Sequence, residues 1–313
     1  MLRAFVRRLI SPDAVAAWAG DHLPSTALKP VIGASLNQLN VSLCMHRVVE
    51  VDRPTDWQPG LNMPPAKLDA LIELLLSSRP GAASGWLTVS FDDGYEDAAS
   101  YIASRAPRFP QVEFMFFVCP EKLEHRTGFR WDAAEEAMRA GAPKAQAVLS
   151  VDAPVNVLEE NARAELKRLA EAPAYRLATV EAVRALGALP NVRLGNHTNL
   201  HLSATRLPEE QVSEDYRRST ETFTRLFGLQ RQFAFPYGTP RYHFDQRHVD
   251  MLRALGDFTI WSTEARPYRA GERTPGAVLP RFPVNGRQSA QEIAGWIAAR
   301  SLDFRARGSK HSF

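Results

Sequence analysis

Three short polar clusters carry the residue types that hydrolytic chemistry uses. Asp92 and Asp93 stand side by side in TVSFDDGYEDA, His197 and His201 are four apart in GNHTNLH, and Tyr237 sits in FAFPYG. Two imidazoles at i and i+4 share a face wherever the chain turns helically, a common way to present two nitrogens to a metal. A zinc protease helix would need Glu directly after the first His. Thr198 stands there, so that chemistry is excluded and any base must come from elsewhere. Adjacent carboxylates at a strand end point in different directions, so one can ligate a metal while the other faces a substrate. Two His and one carboxylate leave a coordination position open for water and a carbonyl oxygen. The plainer alternatives are a turn with a helix N-cap at Asp92-Asp93-Gly94 and two unrelated capping or surface histidines.

Each cluster follows a short apolar run that reads as a strand: WLTVSF before Asp92, VRLG before His197 and QFAF before Tyr237. A fourth run, VSLCM, closes on His46. Helical periodicity over 66–77, 95–105, 208–228 and 245–255 alternates with these runs and with strands at 112–118, 257–262 and 279–284. Strand–helix alternation predicts a parallel sheet with helical crossovers, and such sheets and barrels build their sites at the carboxyl ends of the strands. Residues 131–188 read as almost all helix and predict a helical insertion. Residues 1–40 predict a helical arm broken by Pro24 and Pro30. A last helix is expected over 290–300, then a polar, flexible tail over 301–313.

Taken together, these residues resemble the polysaccharide deacetylases, the NodB-homology carbohydrate esterases. TVSFDDGYEDA resembles that family's first motif, GNHTNLH its second and FAFPYG its third. LCMHRVV resembles the N-terminal strand of a subgroup with a Leu-x-Tyr-His-x-Val pattern. FTIWSTEARP with LPRFPV resembles that subgroup's C-terminal strands, and GFRWDAAEEAMRAG an aromatic-Trp-Asp segment that heads a helical insertion in some members. The resemblance spans about residues 40–300. It implies a distorted (β/α) barrel as a catalytic domain over 41–300, interrupted by the insertion at about 128–188. It implies Asp92 as general base, and Asp93, His197 and His201 as ligands of a divalent ion. That ion is expected to be Zn²⁺, with Co²⁺ or Ni²⁺ also suited to two N ligands and one O. Tyr237 would offer its backbone N–H to an oxyanion.

The implied activity is removal of an acetyl group from an N-acetylated amino sugar in a polysaccharide or glycan precursor. Deacylation or deformylation of a lipid- or nucleotide-linked sugar, and a carbohydrate-binding homologue with a dead site, stay open as alternatives. Ala234 stands where the third motif commonly carries an Arg that supports the base; Arg281 or Arg231 could supply the cation, and Arg281 is also a candidate on the oxyanion or substrate side. No late Leu-x-His motif follows residue 250. His46 is therefore expected as the general acid, since an amine leaves poorly unless protonated and a histidine titrates near neutrality. His243 and His248 are expected at the surface.

Composition is that of an ordinary globular protein. The 313 residues are 45% hydrophobic and 23% charged, and Lys+Arg 38 against Asp+Glu 35 leaves a net charge of +3, too small to argue for nucleic acid. Cys44 and Cys119 lie in apolar runs and are expected as buried free thiols, which fits a reducing compartment. Pro12 and Asp13 interrupt any apolar signal core, so a cytoplasmic location is expected. Leu2, Phe5, Val6, Leu9 and Ile10 share a helical face beside Arg3, Arg7 and Arg8, so residues 1–12 are a candidate for weak contact with an anionic membrane face.

Overall fold

The computed structural model describes residues 24–50, 59–139, 168, 172–229 and 231–307. The stripe at residues 1–12, most of the helical insertion and residues 308–313 lie outside these.

The frame is a set of short parallel strands: β1 (Leu39–Met45), β4 (Leu87–Phe91), β5 (Glu113–Val118), β6 (Val192–Asn196), β7 (Gln232–Ala234), β8 (Thr259–Ser262), β10 (Val278–Pro280) and β11 (Phe282–Pro283). A small parallel pair, β2 (Arg47–Val48) with β3 (Asn62–Met63), stands apart, and β9 (Tyr268–Arg269) adds antiparallel to β1. The hydrogen-bonded order β10-β8-β7-β6-β5-β4-β1-β11 almost closes on itself, because β10 and β11 are separated in the chain only by Arg281. The run at 279–284, expected as one strand, is thus two. Its first part pairs with β8 and its second with β1, with Arg281 at the corner. This is the expected (β/α) barrel, nearly closed. All of β4 and all but the first residue of β5 are buried, which is why both read as unbroken apolar runs rather than alternating ones.

Helices cover the outside: α1 (Ser25–Leu36), α2 (Pro65–Ser78), α3 (Glu96–Arg105), α4 (Pro120–His125), α5 (Arg130–Arg139), α6 (Val180–Gly187), α7 (Glu209–Phe227), α8 (Gln246–Leu255) and α9 (Ala290–Arg307). Within residues 24–36, α1 is a packed element, with α2 and α9 against it. Pro24 stands at its N-cap, as expected, but Pro30 lies inside the helix and does not break it. The missing Pro30 N–H would have reached back to Thr26, whose exposed position leaves its carbonyl to water. Leu28, Ile32 and Leu36, spaced by four and all buried, hold the helix through the proline. Burying each such side chain contributes about 1.5–3 kcal/mol, which offsets the lost hydrogen bond. The tail expected from residue 301 is also corrected, since α9 continues to Arg307. Ser301 is buried and donates its Oγ–H to Ile297 O (2.7 Å), and Phe304 is buried under the guanidinium groups of Arg266 and Arg269. No helix among the described residues is long and apolar enough to cross a membrane.

Candidate active site

The three sequence clusters and His46 meet at the carboxyl ends of adjacent strands. β1 and β4 run in register, Met45 opposite Phe91, and the Asp92 N–H donates to Met45 O (2.9 Å). Asp92 and His46 therefore leave their strands side by side. His197 leaves β6, and Tyr237 is the third residue after β7. Cys44, His46, Leu61, Asp92, Asp93, Trp131, His201, Tyr237, Thr239, His243, Thr263 and Pro283 line one pocket of about 360 Å³. That volume is within the range of small-molecule sites.

Sharp turns aim these side chains. Asp93 (φ 77°), Thr198 (φ 64°), His201 (φ 51°) and Tyr237 (φ 61°) all adopt left-handed backbone, which costs a non-glycine residue about 1–3 kcal/mol. Strain of this kind gathers where a side chain must point against the run of the chain. Gly94 follows Asp93 at φ 90°, and a Cβ there would press on Leu123 and Val118 at 3.3 Å. Asp93 then meets His201 while Asp92 meets Arg281, the division of roles that the adjacency of the pair predicts.

Asp93, His197 and His201 form a cluster whose ligand atoms lie within 4.8 Å of one another, all three buried. Asp93 Oδ1 is 3.0 Å from His201 Nε2 and 3.6 Å from His197 Nε2. Four-coordinate zinc with bonds of about 2.0–2.2 Å puts its ligand atoms roughly 3.4 Å apart, so these separations bracket what a tetrahedral ion asks for. Asp93 Oδ1 is buried and makes no hydrogen bond of acceptable angle despite its short approach to His201, so both atoms address one point in space. His197 Nδ1 lies 2.8 Å from Ala234 O, which sets the tautomer and leaves Nε2 as the lone pair facing Asp93. Burial pushes the His197 pKa down to about 4, against the pull of Asp92, so its ring is neutral, the form that ligates. Burial works the other way on Asp93, but His201, His46 and His197 together hold the carboxyl below its usual value. The donor set fits a divalent metal.

The loop between the two histidines is held from behind. Asp215 on α7 accepts the Asn199 and Leu200 N–H groups (3.1 and 3.3 Å). Asn196 accepts the Thr198 N–H (2.9 Å) and donates to Ser219 Oγ (3.1 Å), while Thr198 Oγ1 accepts the His201 N–H (3.1 Å).

Asp92 is not part of the ligand cluster. Arg281 grips it with both arms, Nη1 to Oδ1 at 2.6 Å and Nη2 to Oδ2 at 2.9 Å. Nη1 also donates to Ser90 Oγ (3.0 Å), and the Cys44 thiol donates to Asp92 Oδ2 (3.4 Å). Burial alone would raise the Asp92 pKa, but the guanidinium, with His197 and His46, outweighs it and keeps the carboxyl ionised far into acid. Arg281 is therefore the cation that Ala234 lacks. It is wholly buried behind Asp92 and does not line the pocket, so its expected place on the oxyanion or substrate is corrected. Arg231 stacks over Phe258 instead. Cys44 and Cys119 are buried and free, as expected.

An aromatic wall borders the cluster. The Trp131 and Tyr237 rings both meet His201, at 4.7 and 5.3 Å between centroids, and Phe129 stacks on Trp131 at 4.3 Å. Trp131 Nε1–H donates to Tyr95 Oη (2.8 Å), which donates in turn to Asp132 (2.9 Å). The other Asp132 oxygen accepts the Phe129 N–H (3.2 Å) and so caps α5. Burial pushes the Asp132 carboxyl up to about 7.

Of the two histidines expected at the surface, one is buried and the other half-buried. His248 is buried and caps α8, its Nδ1 accepting the Asp245 N–H (3.0 Å). His243 lines the pocket. His243 belongs to no recognisable spacing, since a turn places it, whereas His248 lies in the first turn of α8, four residues before buried Leu252. Asp215 did leave a signal. It shares a helix face with buried Val212, Tyr216, Ser219 and Phe223, and an acid on an apolar face needs a partner inside.

No family model matches the sequence, and no curated protein matches it. Solved structures do. IcaB from Ammonifex degensii aligns with a TM-score of 0.51 at 19% identity, covering 84% of this chain and 98% of that one. A polysaccharide deacetylase from Bacillus cereus aligns with a TM-score of 0.53 at 11% identity over 83% of this chain and 69% of that one. A de-N-acetylase from Aggregatibacter actinomycetemcomitans gives 0.51 and 15% over 83% and 100%. The fold is that of the polysaccharide deacetylases.

Proposed function

We propose that the chain is a metal-dependent N-deacetylase of the polysaccharide deacetylase family, acting on an N-acetylated amino sugar of a polysaccharide or glycan precursor. The observation that carries this reading is one arrangement: three converging ligand atoms beside an ionised, Arg-clamped carboxylate in an aromatic-walled pocket. Asp93, His197 and His201 would hold the ion. Zn²⁺, or another divalent ion, bound there supplies Lewis acidity toward the acetyl carbonyl and lowers the pKa of water.

The chain supplies the rest. Asp92 takes a proton from the attacking water, and Arg281 keeps it unprotonated for that purpose. Tyr237 faces the carbonyl from the turn after β7 and offers its backbone N–H to the developing oxyanion. His46, at the end of the neighbouring strand, protonates the departing nitrogen. The amino sugar rests against Trp131 and Tyr237, whose ring faces suit the apolar face of a pyranose.

Acetate release from a β-1,4-linked N-acetylglucosamine tetramer by zinc-loaded protein tests the reading, with metal content measured alongside. The wild type should bind one ion per chain and release acetate. His197→Ala should lose most of the metal and at least about 10² of the rate. Undiminished metal binding in that variant would overturn the ligand assignment, and metal-loaded protein that releases no acetate from the tetramer or from 4-nitrophenyl acetate would overturn the activity.

A further inference from the structure

The loop after Tyr237 is a tightly built turn. The His243 N–H donates to Thr239 O (2.9 Å), and the Thr205 N–H donates to His243 O (3.2 Å). Arg241 sits at φ 68°, and Phe244 is buried and stacked on Phe235 at 3.9 Å. These contacts fold the His243 ring back to within 5.2 Å of the Tyr237 ring, at the pocket wall.

The hydrogen bonding of that wall can be assigned atom by atom. His243 Nδ1 accepts the Thr239 N–H (3.2 Å), so the neutral ring carries its proton on Nε2 and is a donor there. Thr263 Oγ1–H donates to Tyr237 O (2.9 Å). In the 3.3 Å contact between Thr239 Oγ1 and Thr263 Oγ1, the donor must then be Thr239. That spends the one Thr239 proton and leaves its oxygen as an acceptor. His243 and Thr239, already joined by the backbone bond and both lining the pocket, thus offer it one donor and one acceptor. A hydroxyl group both accepts and donates, so it satisfies the two together. A carboxylate or phosphate oxygen has no proton to give Thr239.

We propose that His243 and Thr239 form a hydroxyl-recognition subsite that reads a sugar hydroxyl of the acetylated substrate. This rests on the deacetylase reading above and narrows its substrate, at this wall, to an uncharged, hydroxyl-bearing sugar. The turn fixes both groups before binding, so little ordering is needed when a sugar arrives.

The test compares steady-state kinetics on the N-acetylglucosamine tetramer with those on 4-nitrophenyl acetate, which has no sugar hydroxyl. His243→Ala and Thr239→Val should each raise KM for the tetramer about three- to tenfold, the size of one neutral hydrogen bond, with a smaller change in kcat. The loss in kcat/KM should be larger on the tetramer than on the aryl acetate by that same factor. His243→Gln, which keeps a donor, should recover part of it. Because both residues bind one hydroxyl, the double variant should lose little more than the worse single one. An unchanged KM, or equal losses on both substrates, would overturn the subsite. Wild-type protein that cleaves the aryl acetate but neither cleaves nor binds the tetramer would overturn it too, while leaving the hydrolase reading intact. Metal-loaded protein inert on both substrates would remove the deacetylase reading and the subsite with it.

Discussion

Arg281 and Asp92 form a wholly buried ion pair, and a double-mutant cycle on them measures how far the site depends on it. Asp92→Asn leaves a guanidinium whose direct partners are Ser90 Oγ, Ser262 O and the Phe117 ring, with Asp93 as its remaining nearby charge. Arg281→Met leaves a carboxylate whose remaining donor is the Cys44 thiol. Breaking one side of a buried pair typically costs about 3–5 kcal/mol, because the other charge stays behind. For 313 residues the entropy of unfolding is about 0.7 kcal/mol per degree, so each single variant should melt about 4–7 °C lower. The pair together removes both charges, and replacing buried pairs by neutral groups is often close to neutral. The double variant should therefore be as stable as either single one, or more so, with a coupling energy of about 3 kcal/mol or more. Thermal and denaturant unfolding at pH 7, with metal chelated in every sample, are the assays. Losses that simply add would mean that the two side chains do not interact as their geometry says, and would remove Arg281 as the support of the base. Arg281→Lys should recover little, since a point charge cannot reproduce two parallel N–H bonds.

Two further outcomes follow. His46→Ala should spare metal content and cut turnover of the N-acetyl substrate by about 10² or more, with a smaller effect on 4-nitrophenyl acetate, whose leaving group needs no proton; equal losses would make His46 structural. Asp132 has its pKa raised by burial to about 7, so the folded state holds a proton that the unfolded chain releases above about 4. Its contribution to stability is therefore fully present below the unfolded value and falls as pH rises through about 7. Asp132→Asn should gain on the wild type in melting temperature between pH 5 and 8, and a difference that does not change over that interval would contradict the protonated acid.

How much of this was legible depended on whether a residue's role is local. The strands ending in Asp92, His197 and Tyr237 announce themselves, because their apolar runs and the polar residues just beyond lie within ten positions of one another. The β1 strand and His46 were legible for the same reason. Arg281 could be named only as one of two candidates, since its partner lies 189 residues away and only closure of the sheet brings them together. His243 was out of reach, because a turn and a left-handed Arg241 decide which way its ring faces. Pro30 and the C-terminal turns of α9 went the other way. Their local sequences argue for a break and a tail, and burial of Ile32, Leu36 and Phe304 overrides them.

The corner between β10 and β11 also ties the closing of the sheet to the burial of a charge. The barrel is sealed by a joint one residue wide, and that residue is the counter-ion of Asp92. Without Arg281, Asp92 would have no cation to be buried against, and a carboxylate without a partner favours water. Only when Arg281 arrives, with α9 behind it, can water leave. Closure of the sheet and neutralisation of Asp92 thus depend on the same residue, and a chain lacking the last forty residues should have neither. Such a chain should show itself as a loose sheet that resists no protease, rather than as a slow enzyme.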